Sequence, residues 1–170
     1  MANNLHRINK SKYFFDKKSA KRACDFIQTF CKHTKGELAG EPFVLEPWQI
    51  EIIEAIFGWK SKKTKLRKFR QCFIFIPRKN GKTTMMVGIA LYMLFSDGEK
   101  GAEIVSAAAD KEQARLSFSI AKQMVLQEPN LIKRAGTYRD SITYDKVGSY
   151  YKVISADADT KHGLNLSCCL

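Results

Sequence analysis

Ile74-Phe75-Ile76-Pro77-Arg78-Lys79-Asn80-Gly81-Lys82-Thr83-Thr84-Met85-Met86 is the stretch on which the reading of this chain turns. The apolar run from Cys72 to Ile76 predicts a buried strand. A polar turn follows from Pro77, and Met85 to Phe95 is long and apolar enough for a core helix. Strand, Gly-Lys-Thr turn and helix is the layout of a phosphate-binding loop.

The chemistry comes from that layout. The first amides of a helix lack intrahelical partners, and the aligned peptide dipoles put partial positive charge there. Gly81 lets the backbone approach an anion closely. Lys82 can reach terminal phosphates, and the Thr83 hydroxyl is placed to ligate Mg²⁺. The full pattern G-x-x-x-x-G-K-[ST] is not met, because Ile76 stands where its first glycine belongs. An ordinary turn with a capping threonine is the bland alternative, and the position between an apolar run and an apolar helix argues for the nucleotide site.

At 170 residues the chain has the length of one domain and can bury roughly 70% of its unfolded surface. No apolar window approaches the ~18 residues of a membrane span, and Met1 to Arg7 carries no apolar signal-peptide core. The 29 Lys and Arg against 17 Asp and Glu give a net charge of +12, with a pI near 9.6. Such an excess favours anionic partners, nucleic acid above all, over a merely basic surface. The five cysteines form no C-x-x-C pair and no zinc-site spacing with the three histidines. All five read as reduced, buried thiols of a cytosolic protein.

Along the chain, residues 1 to about 15 read as a polar arm. Apolar positions from Ala20 to Cys31 recur at helical spacing between Lys17 and His33. Pro47 opens a second helix with Trp48, Ile52, Ile53 and Phe57 on its apolar face. Lys60 to Arg70 is the strongest charge run and reads as an exposed loop, either touching DNA phosphates or simply solvated. Ala102 to Ala109 predicts a second buried strand, and Asp110 caps a helix through about Gln127. Ser141–Tyr144 and Tyr150–Ser155 predict a β-hairpin around Gly148. Leu164 to Leu170 reads as the start of another buried strand. This alternation argues for an α/β fold with a mainly parallel sheet flanked by helices, the hairpin inserted near the C-terminus. The expected division is an arm and helix over 1–40 and a nucleotide-binding domain over 41–170.

In order, Pro47-Trp48-Gln49, then Pro77 to Thr83, then Ser106-Ala107-Ala108-Ala109-Asp110 with Gln113-Ala114, then His162-Gly163, resembles the large terminase subunit of tailed bacteriophages. The likeness covers roughly residues 40 to 170, the front of that family's ATPase domain, and an Arg-bearing loop without the first glycine is typical there. The resemblance implies an ASCE-type P-loop ATPase that uses ATP and Mg²⁺ to drive double-stranded DNA into a capsid. Pro77, Arg78, Lys79, Asn80, Gly81, Lys82, Thr83 and Thr84 would cradle the phosphates, with Arg78 finger-like on the γ-phosphate and Thr83 on Mg²⁺. From position alone Gln49 is a solvated helix residue; the resemblance makes it the reader of the adenine edge. The portal protein, the small terminase subunit and a ring of like chains are the implied partners, in the cytoplasm of the infected or lysogenic host.

The family's next feature is an apolar strand ending in Asp-Glu. Leu166 to Leu170 resembles that strand, and no Asp-Glu follows. Asp157 and Asp159 read as loop residues, so no carboxylate is assigned as catalytic, the sheet is expected to be incomplete, and ATP binding with little turnover is expected of this chain. Two other readings stay open. A helicase-type nucleic-acid ATPase shares the glutamine ahead of the loop. A non-enzymatic basic DNA-binding module would make Gly-Lys-Thr incidental.

Overall fold

Residues 9–108, 111–155 and 164–170 are described by the computed structural model of the chain. They fall into two compact units, one of residues up to Asp25 with Leu45–Phe75, the other of Phe26–Val44 with Ile76–Leu170. The expected division at residue 40 lies within the second unit.

In the first unit the strand β1 (Tyr13–Phe15) pairs antiparallel with β2 (Trp59–Ser61), Phe15 opposite Trp59. Their rings meet edge-on at 5.3 Å, a favoured aromatic geometry. Tyr13 to Phe15 is therefore not part of a polar arm. Helix α1 (Lys17–Phe30) starts where Asp16 caps it, the Ser19 backbone N–H donating to Asp16 Oδ1 at 3.0 Å. Helix α2 (Pro47–Gly58) opens on a proline, whose missing N–H costs nothing at that position, and buries Ile53 and Phe57. A Cβ at Gly58 would stand 2.4 Å from the Phe15 ring, so only glycine fits there.

The Lys60–Arg70 run is not simply a solvated loop. Lys60 donates to Asp16 Oδ2 at 2.9 Å and to Ser19 Oγ at 2.6 Å. Lys65 lies over the Phe14 ring, Arg67 over Phe57 and Lys68 over both Tyr13 and Phe69. Four of the seven cations thus fasten the run to its own unit.

The Lys60 ammonium, followed by the Ser19 N–H and hydroxyl, holds the Asp16 carboxyl well below the usual carboxylate range. A depressed folded pKa adds stability in full above the unfolded value near 3.9, and that stability is lost progressively as pH falls from there through the folded value. Asp16→Asn, which keeps a capping oxygen but no charge, should be less stable than the parent at about pH 6. The difference should shrink toward about pH 3. Urea unfolding across that range checks this, and identical stability at the upper pH would exclude the charge as a contributor.

The second unit is built on a five-stranded mixed sheet in the order β4-β5-β6-β3-β7. Its members are β3 (Glu103–Ala108), β4 (Gly136–Thr137), β5 (Ser141–Tyr144), β6 (Ser149–Ser155) and β7 (Leu166–Cys169). β3 runs parallel to both β6 and β7, while β4, β5 and β6 meander antiparallel. The predicted hairpin forms around Gly148, in the left-handed region at φ 68°. It is not an insertion: β6 lies inside the sheet, since its period-two pattern buries Tyr151 and Val153. Helices α3 (Lys82–Phe95) and α4 (Lys111–Gln127) pack on each other and on β3 and β6, and α5 (Pro129–Ile132) follows.

Two expectations fail for a common reason. Cys72–Ile76 is no strand: it runs without a ladder partner among the described residues, leaving Phe73 and Phe75 91% and 86% exposed. A strand exists only where a neighbour takes its hydrogen bonds, and composition does not supply one. Cys72 is accordingly exposed, and on β7, which ends the sheet with no neighbour on its far side among the described residues, Cys169 is exposed and Cys168 half-buried, whereas Cys24 and Cys31 are buried as expected. Burial pushes Cys31 up to about 12 and Cys24 up to about 11, so both stay protonated thiols at neutral pH. No helix among the described residues is long and apolar enough to cross a membrane.

Candidate phosphate-binding site

Helix α3 buries Met85 and then every residue from Val87 to Leu94, so its axis is fixed by packing all round. Its N-terminus is correspondingly fixed. Gly81 caps it at φ 69°, ψ 11°, with no side-chain cap. Lys79 also takes the left-handed region at φ 67°, which costs a non-glycine residue energy. Between them the Asn80 amide donates to the Pro77 and Arg78 carbonyls, each at 3.3 Å. The turn is thereby braced from within, with the side chains of Arg78 and Lys79 exposed and that of Lys82 half-buried.

Unpartnered amides, the helix dipole and three cations (Arg78, Lys79 and Lys82) therefore meet within one turn. That combination suits a polyphosphate. Thr83 lines a cleft of about 190 Å³ with Met86 and Val87 of α3, Ser106 to Ala108 of β3, Ala114 and Ser117 of α4, and Leu170. The cleft opens at the carboxyl ends of parallel strands β3 and β7, where open α/β sheets take their ligands. A hydroxyl on the cleft wall beside a phosphate loop fits a hard divalent cation, which prefers oxygen ligands. Among the described residues, the cleft lining carries no carboxylate side chain.

Structure gives places in the cleft to groups that the sequence left without a role. Ser106 is buried on the cleft wall, and its hydroxyl meets the Tyr151 hydroxyl at 2.5 Å. Burial, against the opposing Ser106 hydrogen bond, pushes the Tyr151 phenol up to about 12, so it remains neutral. Ser117 also enters the cleft, from a helix face that looked merely polar in sequence.

Pro77, Arg78, Lys79, Asn80, Gly81, Lys82, Thr83 and Thr84 form one continuous loop and first helical turn in the second unit. Gln49 belongs to the first unit. It is 2% exposed, so it is not a solvated helix residue, and its Oε1 accepts the Glu46 backbone N–H at 2.9 Å. The spacing of Gln49 three residues after Glu46 is the signal for that capping box. Its amide N–H groups remain to donate. Asp110, the predicted cap of α4, lies outside the described residues, as do Asp157, Asp159 and His162-Gly163.

A mixed sheet with helices packed on it, a glycine-capped core helix and a cleft at the strand ends define an α/β domain with a candidate nucleotide-phosphate site. The family model for the terminase large subunit, ATPase domain, matches residues 47–169, and the chain belongs to that family. It is 31% identical over 147 residues to the large terminase subunit of Enterobacteria phage HK97, covering 85% of this chain and 28% of that protein. The crystal structure of the HK97 bacteriophage large terminase superposes with a TM-score of 0.73 at 28% identity, covering 88% of this chain and 30% of that one. The chain thus spans under a third of the length of these relatives.

Proposed function

We infer that this domain is an ASCE-type P-loop ATPase that binds Mg-ATP and serves the translocation of double-stranded DNA during phage packaging. The observation that carries the reading is the left-handed Gly81 cap on a helix buried from Val87 to Leu94, with Lys82 in its first turn and Thr83 on the adjoining cleft. Lys82 contributes a compact ammonium for the terminal phosphates, and the amides following Gly81 contribute hydrogen bonds along the helix axis. Arg78, exposed at the head of the turn, supplies the further positive charge that phosphoryl transfer calls for. Thr83 is the residue that would hold Mg²⁺, whose chemistry is to neutralise charge developing on the phosphate oxygens. Gln49, with its oxygen engaged by Glu46, would offer its amide N–H to an adenine acceptor. Duplex DNA, the portal protein, the small terminase subunit and a ring of like chains complete the proposed assembly, in the host cytoplasm.

Turnover is a separate matter from binding. Orienting an attacking water needs a carboxylate or similar group at the cleft, and among the described residues the lining side chains offer only hydroxyls and apolar groups. A titration of this chain with Mg-ATP, with phosphate release followed in the same samples, should show saturable binding and turnover far below a motor's rate. Sustained hydrolysis at motor-like rates would overturn the expectation of an incomplete site. Absence of binding by folded protein would instead favour a basic DNA-binding module.

A further inference from the structure

A cleft away from the candidate phosphate loop has about 370 Å³ and is lined by Lys133, Arg134, Tyr144 and Lys146. Lys133 and Arg134 follow α5 directly, and Lys146 stands on the single 3-10 turn Asp145–Val147 between β5 and β6. Two separate connections thus deliver three cations to one concavity. All three are exposed. Among the described residues none of the three has an ion-pair or side-chain hydrogen-bond partner, unlike Arg115, which meets Asp140 at 3.2 Å. Asp145, next to Lys146, is the nearest acidic residue in sequence and leaves the set with a clear positive excess. The fourth wall is not passive: the Tyr144 ring is steadied by Phe95 at 5.4 Å, and a tyrosine hydroxyl can donate to an anionic oxygen.

Three unpaired cations held close together repel one another, and a fold that gathers them without carboxylates is suited to an anion brought from outside. We propose that this cleft is a contact site for the phosphodiester backbone of duplex DNA. Clustered lysine and arginine with a hydroxyl donor is the donor set that phosphate oxygens take, and it carries no base-reading geometry. The inference rests on the reading of duplex DNA as the polymer this domain handles. It locates a contact on the second unit, whereas the Lys60–Arg70 run spends most of its charge on its own aromatic and acidic neighbours.

The test compares two triple variants of the full chain that lose the same charge. One is Lys133→Gln, Arg134→Gln and Lys146→Gln. The other is Lys17→Gln, Lys18→Gln and Lys35→Gln, three exposed lysines elsewhere. Binding of a random-sequence duplex is followed across a salt series, with Mg-ATP binding and thermal unfolding measured on the same preparations. Loss of three phosphate contacts should lower the slope of log K against log salt by about 2.7 in the first variant. The second should keep the parental slope, and both should bind Mg-ATP as the parent does. Equal losses in the two variants would assign the effect to overall charge and overturn the site. A parental slope in the first variant overturns it as well, while leaving the nucleotide reading intact. Loss of Mg-ATP binding in the first variant would make the cleft a nucleotide site, and loss of binding to polyglutamate, titrated on the same preparations, with DNA binding retained would make it an acidic-protein site. Either result overturns the proposal.

Discussion

Lys82→Ala should weaken Mg-ATP binding by roughly 10- to 150-fold while leaving the apo protein's unfolding midpoint almost unchanged. The size follows from the interaction removed, since hydrogen bonds to charged groups contribute about 1.5–3 kcal/mol and about 1.4 kcal/mol is tenfold in affinity. The silence in stability follows from position. Lys82 is half-buried in the first turn of α3, without an ion pair among the described residues, and such surface substitutions usually stay within about 0.5 kcal/mol. Isothermal titration alongside thermal unfolding separates the two quantities. Undiminished ATP affinity in the variant would mean that the Gly81 turn is only a helix start. Arginine is not a neutral replacement, because its planar fork cannot copy a point charge at the end of a slim stem.

The candidate phosphate loop could be proposed from the sequence because everything it needs is local. Glycine at a left-handed cap, a polar turn and an unbroken apolar helix all lie within Pro77 to Phe95, and each leaves a compositional trace. What sequence hid depends on partners far along the chain. Cys72–Ile76 has the composition of a buried strand, yet being a strand requires a neighbour, and none of the described strands takes that place. Conversely Tyr13 to Phe15, too short to signal anything, is a strand because Trp59–Ser61 lies beside it. The basic run looked free because Phe14, Phe57 and Asp16, which engage it, are remote or unremarkable in sequence. Gln49 shows the opposite case. The Glu46–Gln49 capping spacing was readable, but the resemblance drew attention to adenine rather than to the helix start that the side chain also serves. The cleft positions of Ser106 and Ser117 were hidden for a simpler reason: a serine in an alanine-rich strand or on a helix face has no period to mark where it points.

The proposed double use of α3, as core and as phosphate platform, can itself be measured. Leu91 is fully buried in the middle of the helix. Leu91→Ala should cost about 2–5 kcal/mol through lost burial and the cavity left behind, a large share of the roughly 5–15 kcal/mol that holds a domain folded. Its nucleotide affinity should nevertheless survive at low temperature. Nine residues separate Leu91 from Lys82, about 13 Å along the helix axis, beyond the range at which substitutions usually couple. Mg-ATP at about 100 times its dissociation constant should then return roughly 2.7 kcal/mol to Leu91→Ala, and the same to the parent. It should return nothing of that size to Lys82→Ala. Denaturant unfolding of the parent, the two single variants and the double variant, with and without Mg-ATP, gives every quantity needed. If α3 served only the core, nucleotide would rescue none of them. If its first turn depended on packing deep in the helix, Leu91→Ala would lose the rescue together with its stability. Rescue of Leu91→Ala alone is the outcome that a rigid helix with its ligand site confined to one end requires.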